Sequence, residues 1–341
     1  MIDTVKLYFY ITKLMLGRLN DQKALNANNT KVYGNRFYLK NPFGQKNPTV
    51  WINHQNQTLC IEASLPKLVQ GHNVFGSNRL EFLCLNVIKL IYNQLGLSLC
   101  SRERSIIRKH RIKIGRLDIT CSFRLNSPEE VRGAIEEIFH QLRAKGLDWA
   151  AYGCDDYLTI YNQKGSKRIS DKFYAKYNEL LRNKIPEKVV ERSRILKFAL
   201  SLLRYELTYR APELRRLNLE YADQWKPDMV RQLIMKRISM LNLQGSIKEH
   251  MTVKVLECPN KCSQTFYHLW AQGCNLRPHR HYAPLRRARA MLRHQGVDIF
   301  RPLGARNEIA IAELLTENNA YFLGPKALSS RGAIFGCKSS I

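Results

Sequence analysis

The chain has 341 residues, with 55 lysines and arginines against 28 aspartates and glutamates, a formal net charge of +27. That length accommodates one catalytic and one accessory domain of ordinary size. The charge points to a polyanionic partner, nucleic acid before a membrane surface, because release of condensed counterions draws such a surface onto phosphates. The absence of any run of 18 apolar residues, and of a charged-then-apolar leader, excludes a spanning helix and predicts a cytosolic protein.

From the start of the chain, Val5, Leu7 and Phe9 alternate within residues 2–10 and predict a strand, followed by an Asn- and Gly-rich loop region to about Asn47. Residues 50–64 predict a hairpin turning at 53–57, with Glu62 near the end of the returning strand. Ser77 or Asn78 caps a helix carrying Leu80, Leu83, Val87, Leu90 and Ile91 and ending at Gly96. Residues 111–123 predict a strand around Gly115 with Asp118 in its middle, and Ser127-Pro128-Glu129-Glu130 is a helix start.

Two strands, 157–162 and 172–177, follow across a Gly-Ser-Lys-Arg loop. Pro186 then opens a helix to about Leu203, and residues 204–210 form a last strand. This order predicts an α+β fold, an antiparallel sheet with helices segregated to one face. After Arg210 the pattern becomes mainly helical, near 213–220, 226–243, 264–272 and 283–295. The expected division is therefore a domain at 1–210 and a basic, helical DNA-binding or assembly domain at 211–341.

The nine cysteines are odd in number and scattered, which suits reduced thiols. Cys258, Cys262 and Cys274 with His268, His279 and His281 match zinc-site spacing only weakly. No Gly-x-x-x-x-Gly-Lys-Ser/Thr loop is present, so unwinding is left to a separate helicase.

The segment Ile61-Glu62-Ala63-Ser64-Leu65-Pro66-Lys67-Leu68-Val69-Gln70-Gly71-His72-Asn73-Val74-Phe75-Gly76-Ser77 closely resembles the gene II replication initiators of filamentous phages. Met1-Ile2-Asp3, Gly115-Arg116-Leu117-Asp118-Ile119-Thr120 and Leu203-Arg204-Tyr205-Glu206 resemble the same family in the same order. So does Phe173-Tyr174-Ala175-Lys176-Tyr177-Asn178-Glu179-Leu180, which looks like the Tyr-x-Lys-x-x-Glu segment carrying the nucleophilic tyrosine. The resemblance covers residues 1–210 well, and residues 270–299 are similar, more loosely, to the carboxy-terminal region of the wider group.

The resemblance implies an endonuclease of the HUH-like class. Such an enzyme nicks one strand at a phage or plasmid origin through a 5′-phosphotyrosine, leaves a 3′-hydroxyl primer for rolling-circle synthesis and later recloses the strand. It also implies double-stranded origin DNA and single-stranded DNA as partners, a host helicase and polymerase, the cytoplasm of a bacterial host, and compatibility with an oligomer.

Tyr174 and Lys176 are the expected catalytic pair, since on a strand residues 174 and 176 share a face. Tyr177 is the rival, on the opposite face. A phenol of pKa near 10 needs help at neutral pH, so a divalent cation, Mg²⁺ or Mn²⁺, is expected. Its candidate ligands are Glu62, Asp118, Glu206 and His72. Each acid could instead pair with an arginine such as Arg116 or Arg204, and His72 could be a ligand, a phosphate contact or a turn residue. The His-hydrophobic-His triplet usual in tyrosine nickases is missing, because His279-Arg280-His281 has a charged centre and reads as phosphate-contacting surface.

Two basic stretches suit a DNA path. Residues 102–116 hold seven cations and one acid, including Arg108, Lys109, Arg111 and Lys113. Residues 277–293 hold six arginines and no acid, with Arg286, Arg289 and Arg293 on one helical face, Arg287 beside them, and Leu285, Ala288 and Leu292 on another. The rival class is a non-catalytic origin- or single-strand-binding regulator. A conjugative relaxase is the nearest alternative enzyme.

Overall fold

The computed structural model of the chain describes residues 1–25, 36–144, 147–152, 159–162, 166–243, 260–271, 274, 276, 279, 281–294, 297, 299–300 and 311–322. The expected zinc residue Cys258, the start of the strand expected at 157 and Gly296 lie outside them. The strands are β1 (Ile2–Tyr10), β2 (Arg36–Tyr38), β3 (Thr49–Asn53), β4 (Thr58–Ser64), β5 (Lys113–Arg124), β6 (Trp149–Tyr152), β7 (Thr159–Asn162), β8 (Ile169–Ala175), β9 (Leu202–Arg210) and β10 (Ala320–Tyr321). They form one antiparallel sheet in the order β2-β3-β4-β1-β5-β9-β8-β7-β6, and β10 pairs with β5.

The helices are α1 (Lys13–Leu25), α2 (Leu65–Gln70), α3 (Leu80–Gln94), α4 (Ser101–Lys109), α5 (Pro128–Ala144), α6 (Lys176–Asn183), α7 (Arg192–Ala199), α8 (Ala211–Arg216), α9 (Pro227–Met240), α10 (Lys261–Ala271), α11 (Ala283–His294) and α12 (Ile311–Leu314). The expected α+β class is what is found, an antiparallel sheet with helices and a helical carboxy-terminal region. Among the described residues no helix is long and apolar enough to cross a membrane.

Strand periodicity explains the two sheet faces. Leu117, Ile119, Cys121 and Phe123 of β5, with Leu203, Tyr205 and Leu207 of β9, project to one side. They join one buried cluster with Leu83, Val87 and Ile91 of α3, Val131, Ile135 and Ile138 of α5, and Val230 and Ile234 of α9. Alternate residues, Arg116, Asp118, Thr120 and Ser122 on β5 and Arg204, Glu206 and Thr208 on β9, form the polar face. One end of that face is covered by α6, α7 and residues 74–75 through Leu180, Ile195, Ala199, Val74 and Phe75.

The sheet core runs past Arg210. Leu214, Leu219, Trp225, Ile238 and Leu243 belong to the same cluster, and Arg237 of α9 grips the buried carboxylate of Asp171 with two nitrogens, Nη2 at 2.7 Å. Leu285, Ala288 and Leu292 of α11 instead build a separate cluster with Tyr267 and Trp270 of α10.

Several local expectations are corrected. Residues 13–25, expected within a loop region, are helical. Thr12 Oγ1 accepts from the Met15 amide at 3.2 Å, and Met15 and Leu19 are buried. The basic stretch 102–116 begins as α4, where Cys100 and Glu103 form a reciprocal capping box. The cap residue of α3 is Arg79, while Ser77 Oγ braces the preceding turn. The helix expected from Pro186 starts only at Arg192, and β6 is an additional edge strand. The strand expected to run to 177 ends at Ala175, and Lys176 is the first residue of α6.

Gly71 ends α2 with φ +78, and a Cβ there would meet Val189 Cγ2 at 2.6 Å and Phe43 Cδ1 at 2.8 Å. Gly44 has a similar φ of +73 but open space around it. Gly71→Ala is therefore expected to lower unfolding free energy in urea by about 3 kcal/mol, backbone strain and overpacking together, against about 1 kcal/mol for Gly44→Ala.

Candidate active site

The polar face opens into a cleft of about 500 Å³ lined by Asp3, Glu62, Arg116, Asp118, Tyr174 and Glu206, with Lys67, Lys172, Asn73 and Glu179 at its walls. Strands β1, β3, β4, β5, β7, β8 and β9 supply it. Thr49 pairs with Glu62 and Glu62 with Lys6 on one side, while Tyr174 pairs with Arg204 and Lys172 with Glu206 on the other. The three expected acids, Glu62, Asp118 and Glu206, thus share one cavity with the expected nucleophile.

Each acid has a cation. Arg116 clasps Asp118 through Nε at 3.0 Å and Nη2 at 2.7 Å, and reaches Glu62 at 3.4 Å. Lys172 holds Glu206 Oε1 at 2.8 Å, and the other carboxylate oxygen accepts the Tyr174 hydroxyl at 3.2 Å. The Lys172 ammonium also lies 5.1 Å from the Tyr174 ring centroid. Asp118 is 1% exposed, and burial, then the neighbouring Glu206 carboxylate, pushes its pKa up to about 6 against the opposing pull of Arg116. Burial and Glu206 likewise hold the Tyr174 phenol well above its ordinary value. Burial is outweighed at Lys172, whose pKa rises to about 12 beside Glu206 and Asp118.

Lys176, expected to address the same phosphate as Tyr174, is fully buried at the start of α6. Its ammonium donates to Asn73 Oδ1 at 2.6 Å and to Glu179, which also takes Lys67 at 3.2 Å. Burial lowers the Lys176 pKa to about 8, with Arg204 and Lys67 adding to the effect, while the two ammonium groups hold Glu179 well below the usual carboxylate range. Lys172, which the sequence reading passed over, is the cation beside the phenol. The signal for it was present, since residues 172 and 174 share a strand face. Tyr177 lies within α6, so the opposite-face reason for ranking it second does not apply.

His72 is not brought to the carboxylates. It is buried edge-on against Phe75, its Nδ1 accepts from the Val74 amide at 3.4 Å, and burial, Lys176 and Arg204 depress its pKa to about 3. That is the turn-residue alternative. The loop it occupies is clamped by Arg204, which donates to Asn73 O at 2.8 Å, Val74 O at 2.5 Å and Ser122 Oγ at 2.9 Å while only 1% exposed. Asn73 in turn donates to Asp3 at 2.7 Å, and Ser64 Oγ donates to the other Asp3 oxygen at 2.6 Å.

The segments resembling gene II proteins therefore converge on one cleft. The family described as the N-terminal region of the phage replication-associated protein, the gene II product, matches residues 1–228. The chain belongs to that family. The replication-associated gene II protein of Enterobacteria phage I2-2 is 26% identical over 246 residues, 71% of this chain and 69% of that protein. A rolling circle replication initiator protein from Geobacillus stearothermophilus superposes with a TM-score of 0.28 and 12% identity over 62% of this chain and 73% of that one, a likeness too slight to carry an argument.

Of the expected DNA-contacting residues in this gene II family chain, Arg108 and Lys109 are exposed on α4, with Arg108 3.8 Å from Glu81. Arg111 instead clasps Asp223 and stacks 4.0 Å from the Tyr221 ring, and Lys113 lies 3.7 Å from Glu220. On α11, Arg286, Arg287 and Arg293 are exposed, and Arg289 stacks 4.2 Å from the Phe300 ring. Among the described residues no three His, Cys, Asp or Glu side chains converge as a ready cation cage, and Cys262 and Cys274 are exposed free thiols.

Arg204→Met removes the donors of two buried carbonyls. It is expected to destabilise the fold by about 3 kcal/mol in urea and to speed hydrogen exchange at residues 72–76 more than in β1 or β5.

Proposed function

We propose that this gene II family protein is a rolling-circle initiator that nicks one strand of origin DNA with Tyr174 and later reseals it. The observation that supports this most is the Tyr174 hydroxyl directed at Glu206 inside a cleft that also holds Asp118, Lys172, Arg116 and Lys67. In this reading Tyr174 Oη forms a bond to the scissile phosphorus as its proton passes to Glu206, and the bond from phosphorus to the 3′ oxygen breaks. The 3′ oxygen takes up a proton to become the primer hydroxyl. Reversal by an incoming 3′-hydroxyl frees Tyr174 and closes the strand.

A phenol raised by burial is a reluctant donor, so cationic groups must offset the charge that develops on the phosphate. Arg116 and Lys172 are the chain's own candidates, and Lys67 stands at the wall. Lys176 acts as a positioning residue, because its buried ammonium fixes Asn73 and Glu179 rather than reaching the cleft. The adjacent carboxylates Asp118 and Glu206, oxygen donors whose mutual repulsion adds to burial in raising the Asp118 pKa, fit a hard divalent cation such as Mg²⁺ or Mn²⁺ once Arg116 yields. Such an ion would polarise the phosphate and favour ionisation of the phenol. The region after Arg210 first completes the sheet core with residues 214–243 and beyond them serves as a basic DNA-binding or accessory region, with α11 as its principal surface. The bacterial cytoplasm is the setting, with a host helicase and polymerase continuing from the 3′ end.

Tyr174→Phe is expected to abolish nicking of supercoiled origin DNA and the covalent DNA-peptide adduct while origin binding stays within about twofold, since one hydroxyl is removed. Retained nicking would end the assignment, and origin binding by the wild type without cleavage under any divalent cation would favour the non-catalytic regulator.

Asp118 supplies a pH test that does not require activity. With its folded pKa above the unfolded value, its favourable contribution is complete below about pH 4 and is lost as pH rises through about 6. A bound cation reverses that cost. Mg²⁺ is therefore expected to raise Tm at pH 7.5 and hardly at pH 5, and Asp118→Asn to remove the increment, as measured by scanning calorimetry.

A further inference from the structure

A second groove, of about 680 Å³, crosses the same polar face and shares Glu62 and Arg116 with the cleft. Lys6, Lys113, Lys167, Arg210 and Arg215 line it, and Glu62 is the acid among its lining residues. Lys113 and Arg215 both approach one carboxylate, that of Glu220 at 3.7 and 3.5 Å, so their charge is incompletely matched. Arg210 is held by the Ser166 carbonyl at 2.5 Å, a neutral partner.

Tyr8 lines the groove, and Trp51 flanks it two strands away on the same face of the sheet. Tyr8, Cys60 and Trp51 are cross-strand neighbours on β1, β4 and β3, and the Lys6 ammonium lies 4.9 Å from the Trp51 ring centroid and 5.8 Å from that of Tyr8. Cys60 is buried, whereas Tyr8 and Trp51 remain partly exposed. Gly115 permits this arrangement. A Cβ there would meet Tyr8 Cε2 at 2.6 Å and its hydroxyl at 3.1 Å, so the ring lies close across β5 only because residue 115 has no side chain.

We propose that this groove seats the single-stranded DNA flanking the scissile phosphate, its backbone following Lys6, Lys113, Lys167, Arg210 and Arg215 and its bases stacking on Tyr8 and Trp51. The inference rests on the nicking reading for the position of the scissile phosphate. A row of cations beside partly exposed rings suits splayed single-stranded bases, whose faces are free to stack, whereas a duplex keeps its base faces covered. The shared wall at Glu62 and Arg116 makes groove and cleft one continuous path.

The full-length Tyr174→Phe protein, titrated with a short oligothymidylate at several salt concentrations, tests this. The other tryptophans, Trp149, Trp225 and Trp270, are at most 6% exposed, so stacking is expected to quench emission from Trp51, and Trp51→Phe should remove the quench. Reversing the exposed pair with Lys167→Glu and Arg215→Glu is expected to weaken binding about tenfold or more and to reduce the salt slope by about 1.4, two phosphate contacts. A melting curve establishes that the doubly reversed protein folds, and Lys167→Gln with Arg215→Gln should lose affinity in the same direction. Unchanged affinity and slope overturn the groove, whether or not Tyr174 cleaves. Equal weakening toward duplex and oligothymidylate without a Trp51 quench assigns the surface to duplex and also overturns it. If wild-type protein never forms a tyrosine adduct yet the groove variants lose oligothymidylate, the nicking reading fails and the groove stands.

Discussion

The structure depends on a buried polar knot at the end of the sheet, where Asn73 sits between Asp3 and Lys176 and its carbonyl is held by Arg204. Two cationic side chains, Lys176 and Arg204, are almost wholly withdrawn from water there, which is tolerable only when each is paired or fully hydrogen-bonded. Glu179 meets the first requirement, and the carbonyls of residues 73 and 74 with Ser122 meet the second. The knot ties β1, β8, β9, α6 and the loop after α2 into one rigid corner.

That corner places the cleft. Tyr174 is two residues before Lys176 and pairs across the sheet with Arg204, so both its sequence neighbour and its strand neighbour are anchored. A phenol held in this way offers its hydroxyl to Glu206 at little further entropic cost. Three acids of the cleft are paired with cations, Glu62 and Asp118 with Arg116 and Glu206 with Lys172. The site thus pairs its charges internally in the free protein, and in the proposed reading those cations would exchange partners for phosphate oxygens.

The polar face as a whole shows why the net charge of +27 is not merely diffuse. Acids gather in the cleft, cations gather in the adjoining groove, and Arg116 belongs to both. In the proposed reading, a strand drawn along the cations would be delivered to the carboxylates.

Much of this was legible in the sequence. The alternation in residues 2–10, 58–63 and 111–123 and the capped helix at 128 are local signals, because strand period and capping chemistry act over a few residues. The resembling segments named Tyr174, Glu62, Asp118 and Glu206, which do share a cleft. Only the tertiary structure decided the rest. It ended the strand at Ala175, because Lys176 must reach Asn73, 103 positions earlier in the chain, and it gave Lys172 the place beside the phenol. It turned Arg204 from a candidate acid's partner into the clamp on residues 73–74, and buried His72 among cations that keep it neutral. Residue type and spacing determine what each side chain can do. Which of those options is taken depends on partners brought together from distant segments, and no local pattern encodes them.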